Sequence, residues 1–227
     1  MNQFDPKKIA NRKLSQSSRK WLERHISDPY VHLARKDRYL SRAAYKLIEM
    51  QERFHFIKGG DVVLDLGAAP GSWSQVASKI VSAKNGLVIA LDLLPIKKQD
   101  FCIFIQGDCN DQSVIAKVME NVAAFYQDSM VGKKESVNLI LSDIAPNMIG
   151  CKSTDHFRSV QLCERVFEIS EEILVQGGSM IMKFLQGIDQ QAFVKKIQSA
   201  FRKVKLCKPE ASRVESYELY IVALNKK

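Results

Sequence analysis

Short apolar runs alternate with longer amphipathic stretches along most of this chain, a pattern that predicts strands each followed by a helix. Residues 41–54, SRAAYKLIEMQERF, set Ala44, Leu47, Ile48 and Gln51 on one helical face, with Ser41 as N-cap and Gly59-Gly60 as the stop. Val62–Leu66 reads as a short buried strand, 87–91 as a second after the Asn85-Gly86 turn, and Cys102–Gln106 as a third. A helix over 111–126 leads to a strand at Val137–Ser142. A longer helix starts near His156, carries Val160, Cys163, Phe167 and Leu174 at helical spacing, and is expected to end on a glycine cap at Gly177-Gly178. Residues 180–184 return to the sheet, a helix covers 189–200, and 204–208 with 219–224 read as a terminal hairpin. No internal repeat interrupts this order. The alternation implies right-handed crossovers and an α/β fold: a mainly parallel sheet of seven strands, the terminal one antiparallel, covered by helices on both faces. A ligand of such a sheet binds beyond the carboxyl ends of its central strands.

Composition narrows the class. A chain of 227 residues with 46% hydrophobic and 26% charged residues suits one globular core. No apolar run approaches the roughly 20 residues that cross a bilayer, and the first residues lack the apolar core of a secretion signal. A soluble, cytoplasmic protein is expected. Five cysteines are widely spaced with no C-x-x-C pair, and the four histidines show no i, i+4 spacing, so no metal site is expected.

The net charge of +9 is uneven: residues 1–46 hold twelve Lys/Arg against four Asp/Glu, a balance of +8. Taken alone such a run reads as a solvated tail, but its density also suits neutralisation of nucleic-acid phosphates. The expected organisation is a basic RNA-binding arm over 1–40 and a catalytic domain over 41–227. Trp21, Tyr30 and Tyr39, interleaved with the charges, are candidates either for stacking on bases or for anchoring the core.

Candidate chemistry falls at the strand ends. Asp65-Leu66-Gly67-Ala68-Ala69-Pro70-Gly71 follows the first strand and opens a helix, where small residues let a ligand approach backbone N–H groups. The loop is not G-x-G-x-x-G, and its proline removes a donor, which disfavours a nicotinamide dinucleotide. Asp92 ends the second strand, the position from which a carboxylate reaches ribose hydroxyls, and Asp108 follows the third. Ser142-Asp143-Ile144-Ala145-Pro146-Asn147 ends the fourth strand and Met182-Lys183-Phe184 the fifth. For a lysine this deep in an apolar segment, burial and a second cation such as Lys46 favour the neutral amine a base requires.

In SRAAYKL (41–47), DLGAAPGSWSQ (65–75), LDLLP (91–95), QGD (106–108), SDIAPNMIG (142–150), MKFLQG (182–187) and KPEASRVESYELYIVA (208–223) the chain resembles the FtsJ/RrmJ (RlmE) family of ribose 2′-O-methyltransferases, above all its bacterial 23S ribosomal RNA members. The resemblance implies a Rossmann-like class I fold and S-adenosylmethionine as cofactor. It carries the family's Lys-Asp-Lys-Glu tetrad onto Lys46, Asp143, Lys183 and Glu218, and cofactor contacts onto Gly71, Trp73, Asp92, Asp108 and Asp143, beside the loop glycine Gly67. Lys183 is then the base or nucleophile-orienting group, Asp143 its partner near the methyl, and Lys46 and Glu218 the groups that tune it. Two departures stand out. Ser72 occupies a position where many members have a second glycine, and the stretch between Arg213 and Glu218 is less basic than the family leads one to expect.

The implied substrate is a uridine of the A-loop in 23S ribosomal RNA of the large subunit, modified by a monomeric enzyme. Transfer RNA, mitochondrial ribosomal RNA, and a non-catalytic ribosome-assembly role on the same fold are the alternatives. Base methylation is disfavoured: Asp143-Ile144-Ala145-Pro146 lacks the aromatic residue of the amine-methylating motif, and no cysteine sits at an obvious strand-end loop.

Overall fold

The computed structural model describes residues 15–128 and 136–227. The first part of the expected arm, 1–14, and the segment 129–135 lie outside the described residues, as does the side chain of Trp21.

Seven strands lie in the order β3-β2-β1-β4-β5-β7-β6. They are β1 (Val62–Leu66), β2 (Leu87–Asp92), β3 (Cys102–Gln106), β4 (Val137–Ser142), β5 (Leu174–Leu185), β6 (Phe201–Cys207) and β7 (Glu218–Lys226). The first five pair in parallel, whereas β7 runs antiparallel to both β5 and β6, between which it lies. The chain reverses its direction of strand addition between β1 and β4, which makes that gap the switch point of a doubly wound sheet.

Period-two alternation along each strand gives the sheet two apolar faces. Val62, Leu64 and Leu66 pack with Phe167 of α6 (Lys152–Ile173) and Val118 of α5 (Gln112–Asp128), with Phe193 of α7 (Gln190–Ala200) in the same cluster. Val63 faces the other way, toward Leu47 of α3 (Ala43–Phe54) and Val76 of α4 (Ser72–Val81). Both layers are closed, so β1 is buried along its whole length.

Two short helices, α1 (Gln16–Ser27) and α2 (Pro29–Lys36), precede the α/β unit. Asp28 joins them to it. Its carboxylate caps α2 by accepting from the Tyr30 N–H at 3.0 Å, pairs with the Arg42 guanidinium, and lies 3.8 Å from Arg213. Arg42 also donates to the Ala211 carbonyl. Tyr30 packs on Tyr45, and the Lys79 ammonium stands 4.1 Å over the half-buried Tyr39 ring, so both tyrosines serve as anchors of these helices. The expected boundary at residues 40/41 falls between α2 and α3.

Three expectations at element ends are corrected. Helix α3 stops not at Gly59-Gly60 but at His55, which takes the left-handed conformation (φ 52°) and donates its N–H to Gln51. The Ser41 hydroxyl accepts from the Ala43 N–H at 3.2 Å, one step ahead of the first helical turn. Helix α6 begins at Lys152 and ends at Ile173, and Gly177-Gly178 lie within β5. There the register of β4 against β5 jumps from Val137↔Leu174 to Leu139↔Ser179, and Gly177, at φ 78°, lets the strand step outward.

Candidate active site

The loops that leave β1, β2 and β3 are laced together at the sheet's carboxyl edge. Gly67 N–H donates to the Leu91 carbonyl at 2.9 Å, and Gly107 N–H to that of Asp92 at 3.0 Å. Gly67 sits at φ 71°, and a Cβ there would run into Ile144 on the neighbouring β4 loop, so a side chain is excluded twice. Between these loops opens a cleft of about 420 Å³, with Gly67, Asp92, Asp108, Asp143, Ile144 and Leu162 among its walls.

Asp92 and Asp108 face this cleft, but not as bare acids. Asp92 Oδ2 accepts from Ala69 N–H and Oδ1 from Leu94 N–H, both at 2.8 Å. Asp108 Oδ1 accepts from the backbone and side chain of Asn110 at 2.9 Å. Carboxylate oxygens carry two lone pairs each, so these bonds fix orientation while leaving acceptor capacity for a ligand.

Three residues of the glycine loop and the helix it opens present no side chain to the cleft. Asp65, one of the three strand-end acids, is fully buried: Ser74 donates to its Oδ2 at 2.5 Å, and its Oδ1 has no hydrogen-bond partner. Burial pushes its carboxyl up to about 7. Trp73 is 2% exposed, its ring 5.6 Å from that of Tyr220 and its indole N–H bonded to the Ala43 carbonyl at 2.9 Å. It belongs to the core on the α3–α4 face and is not a wall of the cleft. Gly71 (φ 102°) is the N-cap of α4, beneath Gln99 and Leu40.

Beside the cleft, at the ends of β4, β5 and β7, the four tetrad positions meet as two ion pairs. Lys183 Nζ lies 2.8 Å from Asp143 Oδ1 and donates to the Asp143 backbone carbonyl at 2.8 Å. Lys46 Nζ lies 2.5 Å from Glu218 Oε1. All four side chains are 10–18% exposed. Each ammonium has its own carboxylate, so the two cations are not left facing each other as the sequence suggested.

Sequence reasoning missed Tyr220, which ties the two pairs together. Its hydroxyl donates to Asp143 Oδ1 at 2.7 Å, and the Lys46 ammonium lies 5.7 Å from its ring centre. The signal was present: two positions along a strand return to the same face, which puts Tyr220 beside Glu218. Burial alone would disfavour the Asp143 carboxylate. The charges of Lys183 and Lys46, with hydrogen bonds from Lys183 and Tyr220, outweigh it and hold the group below its ordinary range. Tyr220, buried and facing two carboxylates, is raised well above 10 and stays a neutral donor.

Asp155 is a second residue that spacing did not reveal. Buried at the start of α6, it accepts from Ile149 and Gly150 N–H at 2.9 and 3.0 Å and braces the loop after Asp143 from behind. No group of three or more His, Cys, Asp or Glu side chains fit to hold a metal occurs among the described residues, and none of their helices is long and apolar enough to cross a membrane.

A doubly wound sheet with an acid-lined cleft at its switch point and a lysine–carboxylate pair at the cleft's edge is the architecture of a Rossmann-like methyltransferase. The sequence model of the FtsJ-like methyltransferase family matches residues 39–226. Ribosomal RNA large subunit methyltransferase E of Acinetobacter baumannii strain AYE is 40% identical over 220 residues, 97% of each chain. Its namesake from Psychrobacter sp. strain PRwf-1 is 43% identical over 216 residues, 95% of this chain and 98% of that one. Among solved structures, a Plasmodium falciparum chain described as a ribosomal RNA methyltransferase superimposes with a TM-score of 0.66 at 30% identity, over 83% of this chain and 98% of its own. The chain belongs to the FtsJ-like methyltransferase family.

Proposed function

We propose that the protein methylates the 2′-hydroxyl of a ribose in 23S ribosomal RNA, at a uridine of the A-loop in the large ribosomal subunit, with S-adenosylmethionine as methyl donor. The observation that carries this reading is the convergence of Lys183–Asp143 and Lys46–Glu218 on one strand-end site beside the cleft. The relatives named Ribosomal RNA large subunit methyltransferase E support the RNA class. So does a recess of about 350 Å³ in which four cations, Arg24, Arg42, Lys46 and Arg213, stand against two carboxylates, Glu215 and Glu218.

The cleft suits adenosylmethionine in size and donor set. Its volume lies within the usual range for ligand pockets, Asp92 and Asp108 offer carboxylate acceptors for hydroxyl and amino groups, and Leu91, Ile144 and Leu162 offer apolar walls for a purine. Gly67, Asp92, Asp108 and Asp143 would hold the cofactor, joined by Gly71 and Trp73 through backbone groups at the first turn of α4. When bound, it supplies an electrophilic methyl group. Everything else falls to the protein's own residues. Lys183 orients the 2′-hydroxyl or, after releasing its own ammonium proton to solvent, takes the hydroxyl proton as base; Asp143 holds that side chain in place, and Lys46 with Glu218 fixes the side of the site where the ribose enters. A positioned base of this kind is worth roughly 10²–10⁴-fold in rate.

Residues 1–40 serve in this reading as an RNA-binding arm on the 41–227 methyltransferase domain, and the enzyme acts as a cytoplasmic monomer. The test is transfer of labelled methyl from adenosylmethionine to large ribosomal subunits, free 23S ribosomal RNA and transfer RNA by wild type and Lys183→Ala, with the product nucleoside identified. The expected product is 2′-O-methyluridine in large-subunit RNA, lost in the variant with cofactor affinity retained. Labelling of transfer RNA alone would overturn the substrate. Tight RNA binding without transfer would replace the enzyme by an assembly factor.

A further inference from the structure

Two loops frame the tetrad from opposite sides, and their tips touch through one aromatic ring. Tyr217, immediately before β7, is 48% exposed. The ammonium of Lys152, the first residue of α6, stands 4.3 Å over its ring centre. Both partners are held from behind. The Tyr217 carbonyl accepts from Gln186 N–H at 2.9 Å, which extends the β5–β7 ladder by one step past Leu185↔Glu218. Lys208 Nζ donates to the Val214 and Ser216 carbonyls at 3.0 and 2.8 Å and so fixes the turn that delivers Tyr217. On the other side Asp155 braces the loop whose next residues, Met148 and Ile149, are exposed apolar side chains.

Resting on the RNA reading above, we infer that Tyr217 is a stacking platform for a nucleobase at or next to the reacting nucleotide, in a single-stranded stretch of the substrate. Tyr217 stands three residues along the strand from Tyr220, the cross-strand partner of Lys183. At roughly 3.3 Å per residue that is roughly 10 Å, and the odd offset turns the Tyr217 ring to the other face of the strand, toward Lys152, where it meets a nucleotide flanking the target or the target's base entering from that side. The face of the ring carries a solvated ammonium instead of packed side chains. Such a contact at an exposed site is worth roughly two- to fivefold in an equilibrium, whereas a base on an aromatic ring is worth roughly 5- to 100-fold. A base therefore displaces the ammonium, and Lys152 is left beside the incoming phosphates. The stretch between Arg213 and Glu218, short of positive charge for this family, supplies a ring instead.

Tyr217→Ala, Tyr217→Phe and Tyr217→Trp test this in two readouts: affinity for isolated 23S ribosomal RNA by filter retention, and KM, kcat and cofactor affinity in methyl transfer. For Tyr217→Ala the expected result is RNA affinity and KM weakened roughly 5- to 100-fold, kcat and cofactor affinity within about twofold, and near wild-type values for Phe and Trp. The inference is overturned by unchanged RNA affinity in Tyr217→Ala, or by a Phe variant as impaired as the Ala variant, since the hydroxyl would then be the active group. Filter retention does not depend on turnover. A wild type that transfers no methyl to ribose, yet loses RNA affinity on Tyr217→Ala, would refute the reaction and leave the platform standing.

Discussion

The Tyr220 hydroxyl donates to Asp143 at the same carboxylate oxygen that Lys183 approaches, so one atom receives both a neutral and a charged donor. A carboxylate in that position stays ionised, and an ionised Asp143 keeps the Lys183 amine at the cleft.

Tyr220→Phe removes one of the causes that hold Asp143 below its ordinary range. A hydrogen bond to a charged group is worth roughly 1.5–3 kcal/mol, and water replaces part of it at a side chain 18% exposed. The acid limb of the kcat profile should therefore move to higher pH. An acid limb in the same place as wild type, from rates measured from pH 3 upward, would remove Tyr220 from the account.

Asp65 makes stability depend on pH in the unusual direction. Its folded carboxyl titrates near 7, above the ordinary 3.8. Across the window between those values the folded state holds more protons than the unfolded chain, so stability falls as pH rises through it and is flat beyond. Asp65→Asn keeps an acceptor for Ser74 and removes the titration. Its unfolding free energy relative to wild type, from urea titration, should rise between pH 5 and pH 8, by an amount on the order of a few kcal/mol. A pH-independent difference would refute the assignment.

Lys46 and Glu218 form a pair with little solvent, so removing either one strands the other. Lys46→Met and Glu218→Gln should each lower stability by roughly 1–3 kcal/mol, less than a fully buried pair because both side chains keep some exposure. The double variant should lose less than the sum. A coupling energy of roughly 1 kcal/mol or more in a denaturation cycle is expected, and additivity would contradict the pairing.

Asp92 and Asp108 should fail differently. Replacing Asp108 by Ala removes an acceptor from the cleft and frees only the exposed Asn110 donors, which water satisfies, so it should weaken adenosylmethionine binding roughly tenfold or more with a small change in Tm. Asp92→Ala also frees the Ala69 and Leu94 N–H groups, so it should lower both affinity and Tm. Calorimetry and thermal melts separate the two.

Among the cysteines, Cys151 should react first. Hydrogen bonds from Ser153 and Thr154 bring its exposed thiol down to about 7, whereas burial pushes Cys163 up to about 12 and Cys102 up to about 11. Brief iodoacetamide treatment at pH 7.5, read by peptide mass, should label residue 151 well before the others.

Strands such as Val62–Leu66 and Val137–Ser142 were legible to the residue because both faces are buried, leaving an unbroken apolar run between polar turns. The start of β5 was not. Leu174 continues the apolar spacing of α6, and Gly177-Gly178 mimics a helix cap, while the structure uses Gly177 to sidestep within a strand. In the site, the resemblance named all four members of the two ion pairs. Strand-end position alone did not tell Asp65 from Asp92: both stand at the end of a strand, but Asp65 shares its face with Val63 and turns inward to Ser74. Trp73 likewise sits in the glycine loop's helix yet spends its ring on the core.

The interior place of β7 bears on when the protein can work. Until residues 218–226 have been synthesised, β5 has a bare edge and β6 has no partner. Neither Glu218 nor Tyr220 is yet available to Lys46 and Asp143. A fragment cut short of this strand carries every residue of the cleft but only one of the two ion pairs beside it. On the proposed function such a fragment should be inert toward ribose, so incomplete copies should not modify RNA.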